Sequence, residues 1–155
     1  MGWYLKTKLG VTLLIIAIMV IIGIFGLLGA MERARMNQST PAITHIFQGQ
    51  FKNAVINSPK PVVVDVYAPW CAPCRELSPM LERVAPGFTN AVRFVKVNYD
   101  EAPGLVNFYK IEGIPTLLMF RKGQLVGRLP GLPTEMALKA ELGYLASGQA
   151  VPGPD

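Results

Sequence analysis

Cysteine and histidine are scarce in this sequence, with two of the former and one of the latter in 155 residues. At most one intrachain disulfide can form, which excludes a disulfide-dense secreted scaffold. One histidine beside two cysteines leaves too few ligands for a four-ligand zinc site within one chain, so no metal is expected. Charge is also sparse, at 16% of residues against 51% hydrophobic. That balance excludes a disordered chain, and the length leaves room for one domain plus an apolar segment rather than two domains.

A basic run is missing too. The net charge of +5 divides unevenly: Lys6, Lys8, Arg33 and Arg35 against Glu32 place +3 on residues 1–36 and leave +2 for the rest. With no interleaved aromatic and basic stripe, the surplus is read as the flanks of a membrane segment, and no nucleic-acid partner is expected.

What is present begins with Leu9 to Met31, 23 residues without a charge. As a helix this run measures about 34 Å, enough for a hydrocarbon core of about 30 Å. It is longer than the apolar part of a signal peptide, and Gly29-Ala30-Met31-Glu32 is a poor cleavage site. Residues 1–31 are therefore expected to be an uncleaved, single-pass anchor. Lys6 and Lys8 lean the N-terminus inward, which puts the domain outside the cytoplasm. Residues 32–41 read as a polar tether, 42–147 as the domain and 148–155, rich in Gly and Pro, as a loose tail.

Within the domain, strands and helices alternate. Ile43 to Ile46 is a short strand, Gln50 to Ile56 a helix, and Val62 to Tyr67 a β-branched strand buried on both faces. A helix from Cys74 to Ala85, a strand from Val92 to Asn98 and a short helix from Ala102 to Tyr109 follow. Thr116 to Phe120 and Gln124 to Leu129 form a hairpin around Arg121-Lys122-Gly123. A last helix from Pro133 to Leu145 offers Met136, Leu138, Leu142 and Leu145 to a core. The pattern predicts an α/β domain with a mixed central sheet and helices on both faces.

Trp70-Cys71-Ala72-Pro73-Cys74 follows the buried strand directly and opens a helix. A cysteine there meets unpaired N–H groups and the positive end of the helix dipole, which favour thiolate. Cys71 is thus the candidate nucleophile, and Cys74, further into the helix and less exposed, the resolving thiol. A structural disulfide or half of a shared zinc site is the blander reading of the same pair.

At this point residues 43 to 146 resemble thioredoxin. The resemblance rests on Val62-Val63-Val64-Asp65-Val66-Tyr67-Ala68-Pro69-Trp70-Cys71-Ala72-Pro73-Cys74, on Val95-Lys96-Val97-Asn98, on Gly113-Ile114-Pro115-Thr116 and on Gly131. Pro115 follows Cys74 by 41 positions, without room for the inserted segment of the cytochrome-maturation branch. Ala72, where glycine is usual, and Tyr67, where tryptophan is usual, depart from the common pattern, and both bear on the reduction potential.

The resemblance implies a redox-active Cys71/Cys74 disulfide that reduces protein disulfides without a bound cofactor. It implies that Asp65 accepts the Cys74 proton, with its pKa raised by burial and moderated by Lys96. It also implies a cis Ile114-Pro115 bond opposite the dithiol, with Trp70 and Gly131 flanking a groove for an extended substrate strand. His45 is expected to be structural or exposed. With the anchor, these features lead to a single-pass protein of the bacterial inner membrane whose domain is recharged by a membrane thiol donor. A disulfide oxidase or isomerase on the same scaffold, a tethered binding or chaperone module, and a domain on the cytoplasmic side are the competing expectations.

Overall fold

The computed structural model describes residues 17–26 and 41–151. The chain divides into two units between Thr40 and Pro41. In the first, residues 17–26 are helical (α1) and exposed along their length. Most of the anchor expected over Leu9–Met31 lies outside the described residues. Among the described residues no helix is long and apolar enough to cross a membrane.

In the second unit, β1 (Ile43–His45), β2 (Val62–Tyr67), β3 (Arg93–Asn98), β4 (Thr116–Arg121) and β5 (Gln124–Pro130) form one sheet in the order β1-β3-β2-β4-β5. β1 and β2 run parallel to β3, whereas β4 is antiparallel to both β2 and β5. Helices α2 (Ala72–Val84), α3 (Pro103–Phe108) and α4 (Glu135–Ser147) complete the domain. This is the mixed sheet expected from the alternation of elements.

β2 is central because its side chains have somewhere to go on either side. Val62, Val64 and Val66 pack with Val95, Val97 and Phe120 beneath Phe51 and Val55. Val63 joins Leu77 and Leu81 of α2 and Leu138, Leu142 and Leu145 of α4 on the opposite face. Each such side chain removed from water stabilises the fold by about 1.5–3 kcal/mol. Since alternate residues share a face, Asp65 and Tyr67 follow Val63 onto the α2 side.

Several elements differ from the sequence expectation for identifiable reasons. The first helix is a 3-10 turn (Gln48–Gln50) followed by a π-type turn (Lys52–Ile56), in which Asn57 N–H donates to the Lys52 carbonyl at 2.9 Å. α2 starts two residues before the expected Cys74, because Cys71 caps it and Pro73 falls in the first turn, where its missing N–H costs nothing. α4 starts later than Pro133, with Thr134 Oγ1 accepting from Ala137 N–H at 3.2 Å. Met136 is 81% exposed rather than in the core. Leu138, Leu142 and Leu145 define the buried stripe, and a residue two places before Leu138 projects some 200° away from it.

The hairpin turn holds Lys122 at φ 50° and Gly123 at φ 77°, the left-handed pair of a tight hairpin. The stretch expected to be a loose tail is held through Val151. Arg121 Nη1 donates to the Gly148 carbonyl at 2.9 Å, and Nη2 to that of Gln149 at 2.8 Å. Val151 packs over Gly127. Of the tail, residues 152–155 lie outside the described residues.

Candidate active site

The strand-to-helix turn builds the dithiol. β2 ends at Tyr67, and the Cys71 amide donates to the Ala68 carbonyl at 3.1 Å, turning the chain. Cys71 then caps α2 with extended backbone, and its Sγ accepts from the Cys74 amide at 3.1 Å. The first turn of α2 carries no acidic residue. An amide donor and a helix N-terminus therefore meet the same sulfur, as thiolate formation requires.

Cys71 and Cys74 are disulfide-bonded, with 5.3 Å between their α-carbons. Both are 3% exposed, so the difference in exposure expected from the sequence is absent in the oxidised form. Ala68 buries with them, and Tyr67, Tyr99 and Ile114 pack against the trio.

Asp65 lies on β2 only 4% exposed, and its Oδ1 has no hydrogen-bond partner. Burial pushes its carboxyl up to about 7, while the Lys96 charge acts in the opposite direction. Lys96 stands beside it in register on β3. A carboxyl that titrates near neutrality on this face can take up or release a proton at physiological pH.

The Ile114-Pro115 bond is cis. The Pro115 carbonyl accepts from Gly131 N–H at 2.8 Å, and Gly131 takes φ 75°. Ile114, Pro115, Thr116, Pro130 and Gly131 line a groove of about 550 Å³, with Lys110, Arg128 and Glu112 as its charged residues. Trp70 does not line it. The indole, 64% exposed, instead donates from Nε1 to Asp100 Oδ2 at 2.8 Å. Of the residues expected to flank one groove, Ile114, Pro115 and Gly131 line it, while Trp70 adjoins Cys71 with its indole bonded to Asp100.

Sequence reasoning did not single out Asp100 as the partner of the Trp70 indole. His45 is exposed, as expected, yet its ring meets that of Tyr67 at 6.1 Å and it stands in register with Lys96. That neighbourhood follows from the parallel register of β1 and β3.

Comparison with known proteins agrees with this geometry. The thioredoxin family model matches residues 42–143. The chain belongs to the thioredoxin family. A thioredoxin from Porphyra purpurea is 36% identical over 101 residues, which is 65% of this chain and 94% of that relative. One from Acidithiobacillus ferridurans is 40% identical over the same shares, and thioredoxin 1 from Nostoc sp. is 38% identical. Cys71 and Cys74 are accordingly the reactive pair of a thioredoxin-like disulfide oxidoreductase, a family that acts on protein disulfides.

Proposed function

We infer that this thioredoxin domain is a membrane-tethered reductant of protein disulfides that works outside the cytoplasm and is recharged by a membrane thiol donor. The reductive direction is supported by Pro73 between the two cysteines and by Asp65, a buried carboxyl pushed up to about 7 on the strand that leads to the dithiol. In the reduced enzyme the Cys71 thiolate attacks one sulfur of a substrate disulfide. A mixed disulfide forms and the other substrate sulfur leaves as thiolate. Cys74 passes its proton toward Asp65 and attacks Cys71 Sγ. The Cys71–Cys74 bond closes, the second substrate thiol departs, and two electrons have moved from enzyme to substrate.

The groove lined by Ile114, Pro115 and Gly131 supports binding of an extended segment beside the dithiol. Tethering is supported by the uncharged run Leu9–Met31 and by the exposed apolar helix 17–26 inside it. With glutathione scarce outside the cytoplasm, continued reduction there requires electrons from a membrane donor.

Trapping tests the chemistry. Cys74→Ser in the full-length chain is expected to accumulate mixed disulfides with substrate proteins, and Cys71→Ser to accumulate none. Equal trapping by both variants would remove Cys71 as the nucleophile. Labelling of reduced Cys71 by an impermeant thiol reagent in outer-permeabilised cells is expected to succeed, and protection until lysis would place the domain in the cytoplasm.

A further inference from the structure

Among the described residues the Lys96 ammonium makes neither an ion pair nor a side-chain hydrogen bond, although Lys96 stands beside Asp65 in register. What it meets is Tyr67, whose ring centroid lies 5.5 Å from Nζ. That is within the ~6 Å over which an aromatic face attracts a cation. Tyr67 is itself held on two sides. His45 approaches at 6.1 Å with the rings at 75°, and the Ala68, Cys71 and Cys74 cluster packs against it. The sheet explains the meeting: Tyr67 is two residues beyond Asp65 on one face of β2, and His45, Lys96 and Asp65 stand side by side across β1, β3 and β2.

We propose that Tyr67 is a positioning residue, its ring face fixing the Lys96 ammonium and its ring in edge-type contact with His45, so that Tyr67 sets how strongly that charge supports the Asp65 carboxylate. The proposal rests on the reading of Asp65 as proton acceptor for Cys74. A lysine stem is flexible, and no bond to the carboxylate fixes its charge, so the ring determines the separation on which the Coulomb interaction depends. The ionisable groups around this arrangement are Lys96 on β3, His45 on β1 and Glu101 after β3, and the Cys71–Cys74 disulfide at α2 carries no proton in the oxidised chain. The Tyr67 hydroxyl is pushed above its ordinary value by burial and by the Glu101 and Asp65 charges, so it stays neutral while Asp65 titrates.

The test is carboxyl NMR titration of the oxidised full-length chain in detergent, with carboxyl-labelled aspartate. The sequence has only three aspartates, and Asp65→Asn assigns the signal. Tyr67→Leu is expected to raise the Asp65 midpoint by about half a pH unit. Tyr67→Phe keeps the ring face and should leave the midpoint in place. Lys96→Met should also raise the midpoint, and adding Tyr67→Leu to it should raise it no further. A Tyr67→Leu effect that persists in full without Lys96, or a Phe variant that moves as far as Leu, would overturn the proposal.

Should the Leu variant fail to fold, Tyr67→Trp is expected to lower the midpoint only while Lys96 is present, and an unmoved midpoint would count against the proposal. The titration needs no turnover. Full activity in Asp65→Asn would therefore refute the reading of Asp65 as proton acceptor, while the midpoints would still decide the role of Tyr67.

Discussion

Asp65 and Lys96 stand in register on adjacent strands, and among the described residues no ion pair joins them. The carboxyl is therefore buried without an ion pair and with one unpartnered oxygen, the Lys96 charge acting on it only through space. Such a group destabilises the fold when ionised.

The pH dependence follows in sign. The native carboxyl holds its proton more tightly than the unfolded one, so stability falls as pH rises from near 3.8 and levels off above about 7. Asp65→Asn is expected to gain on the order of 3–4 kcal/mol at pH 8 and almost nothing at pH 3.5. Urea denaturation at the two pH values measures it, and a gain independent of pH would place the effect in packing instead.

The same substitution should slow the closing of Cys71–Cys74. A positioned acceptor contributes on the order of 10²-fold or more. Single-turnover release of reduced product in Asp65→Asn should fall by about that lower figure, with formation of the mixed disulfide little changed. Slowing of both steps alike would indicate a distorted dithiol.

Trp70 is steered by Asp100 rather than by packing. Asp100→Ala frees an exposed indole, so folding stability should change by less than about 1 kcal/mol. KM for a protein disulfide should rise about threefold, roughly 0.7 kcal/mol of lost binding, with kcat retained. An unchanged KM would show that the indole does not contact substrate.

At Gly131 an added Cβ would meet nothing within 4 Å, while φ is 75°. Only backbone strain opposes a side chain there. Gly131→Ala is expected to cost about 1–2 kcal/mol, and Gly131→Asn less, because asparagine tolerates the left-handed region. Thermal denaturation ranks the pair, and equal losses would point to groove contacts outside the backbone.

The strand pattern, the dithiol and the cis Ile114-Pro115 bond were legible because each leaves a local mark: a valine run, a C-x-x-C at a helix start, an X-Pro in a family context. What was not legible depends on register. Nothing local tells that His45 stands beside Lys96, that Trp70 turns to Asp100, or that Arg121 reaches the end of α4. The misplacement of Met136 in the core has a different origin, since the spacing of Leu138, Leu142 and Leu145 already sets the helix phase and leaves Met136 off that stripe.

The most direct test of the reductive direction is the reduction potential of Cys71–Cys74 in the full-length chain, equilibrated in detergent against a reference dithiol. A reductant is expected near about −270 mV, the value typical of thioredoxin. A potential near about −120 mV would mean a strongly stabilised reduced form and would contradict the reductase reading in favour of a disulfide donor.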